Sequence, residues 1–390
     1  MFFRTCLLLC LASSGYAQSY QKLHQKALVV DTHNDVLSSA TMSGLNIEHD
    51  LKGQTHSDIR RFKEGGVDVQ IFSVFCDERY GKGTAFAFAN REIDSLLAIV
   101  QRNPASLMMV TTPMELKRAV RQGKMGCMIG VEGGHMIEDN LAYLDSLYNR
   151  GTRYLTLTWN NSTSWATSAK DETAGTVPNA KKGLNEFGKQ VVRRMNQLGM
   201  MVDVSHIGEQ TFWDVMDVTT KPIIASHSCV YSICPHPRNL KDEQIKAIGK
   251  NGGVIQLNFY SGFIDSNYMK RKEDFLARHA SERDSLKAAG MTSYGIDEWI
   301  SKKYPHEAEA LRPSLSQLLD HIDHIVRLIG VDGVGLGSDF DGIESAPRPL
   351  DDVTTMPLIT KALLERGYSK KEVRKILGEN FLRVFKANTN

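Results

Sequence analysis

Short apolar runs rich in β-branched residues recur along the chain, and between them apolar positions fall at helical spacing. Eight runs stand out: "ALVVDTHND" (27–35), "GGVDVQIFSVF" (65–75), "GKMGCMIGVEGG" (123–134), "GTRYLTLTWNN" (151–161), "GMMVDVSH" (199–206), "KPIIASHS" (221–228), "GGVIQLNFY" (252–260) and "GVGLGSDFDG" (333–342). Most are entered through a Gly or Pro turn. Stretches between them, such as "NREIDSLLAIVQR", "NEFGKQVVRRMNQL" and "SLSQLLDHIDHIVRLIG", place apolar residues three and four apart, as one face of a helix requires. Strand and helix in strict alternation imply parallel strands with right-handed crossovers. Eight such units predict an α/β fold of the (β/α)8 TIM-barrel type. The competing open, doubly wound sheet usually carries a Gly-rich nucleotide loop after its first strand. Here the first strand runs into "DTHND" instead.

The longest break in the alternation is 261–313, between the seventh and eighth predicted strands. It is charged and helix-prone ("MKRKEDFLARHASERDSLKAAG") and reads as an insertion over the barrel mouth. The C-terminal "SKKEVRKILGENFLRVFKA" reads as a closing helix. The N-terminal "MFFRTCLLLCLASSGYAQS" has a basic start at Arg4, an apolar run from Cys6 to Ala12, and small residues at Gly15 and Ala17. That pattern predicts a signal peptide over 1–17, cut after Ala17, with one barrel domain over 18–390. The apolar run is shorter than the ~20 residues that span a bilayer, so a periplasmic or secreted protein without stable membrane insertion is expected. The residue before Cys10 is Leu9, not the small residue of a lipid-anchoring signal. Composition adds little: 42% hydrophobic and 24% charged residues are ordinary for a globular chain. A net charge of +2 without basic blocks gives no reason to expect nucleic acid as a partner.

The ionisable residues at the C-terminal ends of the predicted strands change the picture. The first strand brings His33 and Asp35, the third Glu132, the fifth His206, the sixth His227 and the eighth Asp339. Active sites of this barrel are built at that face, from the ends of different strands. Residues i and i+2 of a strand share a side, roughly 6.6 Å apart, so His33 and Asp35 can approach one ion. Glycines around Glu132 in "GVEGG" let it project inward. Each of these residues alone would be an ordinary core or surface residue; together they predict a metal site. Imidazole and carboxylate without thiolate suit Zn²⁺, and less specifically Mn²⁺, Fe²⁺ or Co²⁺. The set exceeds the three protein ligands of a mononuclear catalytic zinc. Two ions sharing Glu132 use it economically, with a water or hydroxide between them as nucleophile. Asp339 then either binds metal or serves as acid and base.

In order, "DTHND", "GVEGGH", "DVSH", "ASHS", "PRN" and "GSDFDG" resemble the membrane (renal) dipeptidase family of binuclear zinc metallopeptidases, from about residue 22 to 386. The resemblance implies an amidohydrolase-type barrel that cleaves dipeptides, with two Zn²⁺ per chain. It implies one zinc on His33, Asp35 and Glu132, and the other on Glu132, His206 and His227. Asp339 becomes the acid/base residue, and Arg238 the clamp on the substrate carboxylate, by paired charge-assisted hydrogen bonds. Homodimers are common in that family, and a homodimer enters on that ground alone. The sequence departs from the family at one point. Mammalian members carry a substrate-binding His after the fourth strand, where this chain has Trp159. An indole donates one hydrogen bond and does not titrate, so Asn160, Asn161 and His135 are candidates to take over. The same metal site would equally serve a relative acting on N-acyl amino acids, lactones or β-lactams. A non-enzymatic metal-binding relative would have no use for Asp339.

Overall fold

The computed structural model describes residues 20–291 and 293–389, so the leader expected at 1–17 lies outside the described residues. Among the described residues, nine strands form one parallel sheet: β1 Val30–Asn34, β2 Val69–Phe75, β3 Leu107–Met109, β4 Met125–Glu132, β5 Thr152–Thr156, β6 Met201–Asp203, β7 Ile224–Ala225, β8 Val254–Leu257 and β9 Val334–Leu336. Pairing runs β1-β2-β4-β5-β6-β7-β8-β9, and a bridge from Asn34 to Phe340 brings the two ends together. This is the (β/α)8 barrel expected from the alternation. The short strand β3 was not among the predicted runs. It pairs with the first residues of β4, ahead of the stretch where β5 pairs. Three residues are too few to carry a periodic signal.

Parallel strands covered on both faces read as nearly continuous apolar runs, and every residue of β4, "MGCMIGVE", is buried. At the N-terminal ends of the strands, Val30, Val69, Met201, Ile224 and Val254 pack with Phe381, Val384 and Phe385 of the last helix, Asn380–Asn388. That helix closes this end of the barrel. The single closing helix expected from sequence is broken: the backbone at Gly378 is non-helical, and the helix Lys370–Arg374 lies before the break. The 261–313 run folds as helices Ser261–Ile264, Tyr268–Arg278, Ala280–Ala288, Ser293–Lys303 and Pro305–Leu311. They keep a small apolar cluster of their own: Tyr268, Phe275, Ile296, Ile300 and Leu311. Cys76, Cys127, Cys229 and Cys234 are buried free thiols. Among the described residues, no helix is long and apolar enough to cross a membrane.

Side chains complete the closure between β1 and β9. Asp31 is buried on β1 and accepts from the Ser338 N–H at 2.7 Å and the Ser338 hydroxyl at 2.6 Å. Burial pushes its carboxyl up to about 6, against the pull of these bonds. Asn34 donates to Ser57 Oγ at 2.8 Å and accepts from the Val36 N–H at 3.0 Å. Both residues brace the turn after β1. Ser338→Ala leaves one Asp31 oxygen without its hydroxyl donor inside the protein. It should lower the unfolding free energy by about 1–3 kcal/mol, measured by urea denaturation of metal-free protein.

Candidate metal centre

Six side chains from five separate stretches of chain meet at the C-terminal mouth of the barrel. His33 is on β1, Asp35 lies one residue past it, and Glu132 ends β4. His206, His227 and Asp339 lie two or three residues beyond β6, β7 and β9, because these strands are shorter than the apolar runs that announced them. His206 and Asp339 have φ of 65° and 61°. That left-handed backbone is uncommon for residues with a side chain and concentrates at functional sites. His33 Nε2 is 3.3 Å from Asp35 Oδ2, 3.4 Å from Glu132 Oε2 and 4.0 Å from Asp339 Oδ1. Glu132 Oε1 is 2.7 Å from His206 Nε2 and 3.5 Å from His227 Nε2. Glu132 thus stands between the two groups of ligand atoms. Close backbone makes room for them: a Cβ on Gly342 would lie 2.3 Å from Asp35 Oδ2 and 2.5 Å from Asp339 Oδ1.

The other nitrogen of each ring decides what these atoms can do. His33 Nδ1 is 2.9 Å from the Tyr154 hydroxyl, which itself donates to Thr32 O at 3.0 Å. His227 Nδ1 is 2.8 Å from Ser226 Oγ, which donates to Asp203 Oδ2 at 2.6 Å. His206 Nδ1 is 3.2 Å from Asn160 Oδ1. Each partner accepts from Nδ1–H, so Nε2 is the nitrogen left to offer its lone pair to a cation, the arrangement that hydrogen-bond partners behind the ring impose on metal-binding histidines. Two such lone pairs, on His206 and His227, are only 2.9 Å apart. His33 Nε2 and Asp35 Oδ1 are buried and lack a hydrogen-bond partner. Converging acceptors without donors fit a cation, and nitrogen with carboxylate oxygen is a donor set for zinc.

The electrostatics agree. Burial pushes His206 down to about 4, with the Arg238 charge adding to it, and burial with the His33 charge holds His227 well below its ordinary value. Both rings are neutral at neutral pH, the state in which an imidazole can bind a metal. Burial alone would lower His33, but Tyr154, Asp35 and Glu132 around it leave it well above the usual imidazole range, so with no cation bound its Nε2 holds a proton whose place a bound cation takes. Burial works against the Glu132 carboxylate, yet the His33 charge and the close approach of the His206 and His227 rings hold it well below the usual range. Asp339 goes the other way: burial, with Asp35 and Glu132 nearby, holds it well above.

These groups face a cavity of about 550 Å³ that Arg238, Trp159 and Asn160 also line. Arg238 is buried, its Nε has no partner, and its Nη2 is 3.4 Å from His227 O. Trp159 lies 4.9 Å from the Phe75 ring and 6.5 Å from the His206 ring, forming an apolar wall. Asn160 is committed to His206 by its side-chain oxygen. His135 is turned to Cys76 O at 3.0 Å and does not line the cavity. Nor does Asn161, whose buried Oδ1 has no partner. Sequence reasoning missed the supports. Asp203 accepts from the Ser205 and Ser226 N–H groups and the Thr156 and Ser226 hydroxyls. Tyr154 crosses the interior because Gly130 leaves the space, a Cβ there lying 2.0 Å from the ring. The Ser residues beside His206 and His227 in "DVSH" and "ASHS" were the available signal. Tyr154→Phe keeps the ring and removes the acceptor of His33 Nδ1–H. It should weaken zinc binding by about 10- to 100-fold in a chelator competition, with the circular dichroism spectrum unchanged.

The family model for Membrane dipeptidase (Peptidase family M19) matches residues 17–390. Solved structures share the fold. The probable dipeptidase PvdM from Pseudomonas aeruginosa matches with a TM-score of 0.78 at 24% identity, over 96% of this chain and 98% of that one. The dipeptidase AC, a metallopeptidase of family M19, matches with a TM-score of 0.75 at 25% identity, over 93% and 98%. A metallopeptidase from Rhodobacter sphaeroides, liganded with a phosphinate mimic of the dipeptide L-Ala-D-Ala, matches with a TM-score of 0.74 at 23% identity, over 93% and 99%. With three histidines and three carboxylates gathered at its mouth and nearly its whole length matched by the family, the chain belongs to the membrane dipeptidase family and is a metallo-dipeptidase.

Proposed function

We propose that the protein is an exported dipeptidase holding two zinc ions, one on His33, Asp35 and Glu132, the other on Glu132, His206 and His227. The observation that carries the reading is the set of Nδ1–H bonds, which leave all three Nε2 lone pairs aimed toward Glu132. Export rests on the leader pattern of residues 1–17. The family homodimer belongs to the same reading, and sedimentation tests it.

When bound, the metals supply Lewis acidity toward the scissile carbonyl and lower the pKa of an attacking water. The chain's own residues do the rest. Arg238 pairs with the substrate carboxylate; its free Nε and its burial make that hydrogen-bonded pair strong. Clamping the carboxylate inside the cavity excludes longer peptides, whose chain would have to pass the guanidinium. Asp339 Oδ2 accepts from Asn258 Nδ2 at 2.7 Å, which leaves Oδ1 toward the ligand cluster. A carboxyl held well above its usual range is suited to take the proton of the attacking water and return it to the amide nitrogen as the C–N bond breaks. Trp159 and Phe75 keep water from that side. Residues 261–313 roof the mouth in this reading, since Lys272 reaches Glu344, a lining residue, at 2.9 Å.

Metal analysis is expected to return about two zinc equivalents per chain, and a chelator to abolish dipeptide hydrolysis. One equivalent or none would remove the binuclear assignment. Dipeptides should be hydrolysed and tripeptides not; cleavage of N-acyl amino acids alone would favour the other hydrolase class. Arg238→Ala should raise KM for dipeptides by about one to two orders of magnitude. Asp339→Asn should cost at least about 10²-fold in kcat while zinc content is kept; unchanged turnover would assign the proton to another residue.

A further inference from the structure

A second cavity, of about 810 Å³, adjoins the catalytic one and shares Ser39, Asp341, Ile343 and Glu344 with it as a common wall. It lies between the loop after β1 and the helices Tyr268–Arg278, Ser293–Lys303 and Pro305–Leu311. Its lining is acidic in balance, six carboxylates against four lysines and arginines. Ion pairs engage five of the carboxylates: Lys272 lies 3.0 Å from Asp297 and 2.9 Å from Glu344, Arg312 lies 2.7 Å from both Glu309 and Asp351, and Arg61 lies 3.2 Å from Asp352. The common wall holds an unmet acceptor. Asp341 Oδ1 takes the His56 N–H at 2.6 Å, but Oδ2 is buried with no partner, and the side chain is only 3% exposed. A buried carboxylate oxygen without a donor is costly, and a donor brought by a ligand would relieve it.

Direction follows from Arg238. Its guanidinium lies against His227 O, beyond β7, while the common wall is built from residues after β1 and β9. A dipeptide with its carboxylate on Arg238 spans the ligand cluster and brings its other residue to that wall. We propose that the second cavity receives the side chain of the substrate's amino-terminal residue, and that Glu344 and Asp341 select a cationic one of lysine or arginine type. This rests on the dipeptidase reading above. Of the Glu344 oxygens, Oε1 takes the Tyr260 hydroxyl at 2.8 Å and Lys272 at 2.9 Å, which leaves Oε2 for the ligand.

The test compares kcat/KM for Lys-Ala and norleucyl-Ala, which differ by the ammonium at the end of the same four-carbon stem. In the zinc-loaded wild type the ratio should be about tenfold or more, with Glu-Ala slower than either. Glu344→Gln should lower the ratio by about tenfold. Asp297→Asn, which turns Lys272 wholly to Glu344, should lower it in the same direction and serves if the first variant does not fold. A wild-type ratio near one, or a ratio unchanged in the folded variants, overturns the proposal while leaving the dipeptidase reading intact. Hydrolysis of none of these dipeptides overturns both.

Discussion

Electron pairs crowded where no donor answers them are the constraint from which the rest of this structure follows. Three imidazole Nε2 atoms and three carboxylates meet in a space that buries nearly all of them. Such a group repels itself, and burial raises the cost because each charge is taken out of water. It persists because every ring is held from behind. Tyr154, Asn160 and Ser226 accept the Nδ1–H groups, and Asp203 and Thr32 in turn hold two of those partners. The opposed shifts of Glu132 and Asp339, one held down by histidines and the other pushed up by burial and carboxylates, are two sides of that crowding.

A barrel meets this demand because it carries distant sequence positions to one rim. The cost shows in how the rim is built. β6, β7 and β9 stop early, and left-handed backbone at His206 and Asp339 turns those side chains inward. Deeper inside, Gly130 gives up side-chain packing so that the Tyr154 ring can reach His33. At the other end no ligand is needed, and the strand ends are covered by Phe381, Val384 and Phe385. One end of the sheet carries ordinary core packing, and the other carries strain and unpaired polar atoms.

Much of the fold was legible because a barrel strand buried on both sides leaves an apolar run that turns punctuate, and each of the eight runs contains an observed strand. The ligand-type residues were legible because they sit at the ends of those runs. What sequence could not show was short or remote. β3 is three residues long, and the break at Gly378 interrupts an unbroken helical pattern. Tyr154 lies 121 positions from His33, and Asp203 reads as one more strand residue until its four donors are seen. The strand parity of His33 and Asp35 gave the right neighbours by an incomplete route. β1 ends at Asn34 with a register irregularity, and it is the turn that brings Asp35 to 3.3 Å from His33.

Trp159 stands where the family resemblance implies a histidine, and the surroundings say how that difference can be absorbed. An indole adds no charge to the cavity, and Asn160 has its side-chain oxygen, though not its amide N–H, committed to His206. In the proposed reading Arg238 is engaged with the substrate carboxylate, so hydrogen-bond donation toward a developing oxyanion is left to the Trp159 indole N–H, the Asn160 amide N–H and whatever cation the five ligands hold. Arg238 keeps the charge a carboxylate partner needs: burial lowers its pKa to about 10, which still leaves it charged at neutral pH, while Glu132 and Asp339 lie close enough to oppose that fall. The Phe75 and Trp159 rings, packed at a tilt, then act through exclusion of water. A drier wall strengthens the charged contacts of the cavity, so an apolar residue at that strand end can offset part of what a titratable one supplied.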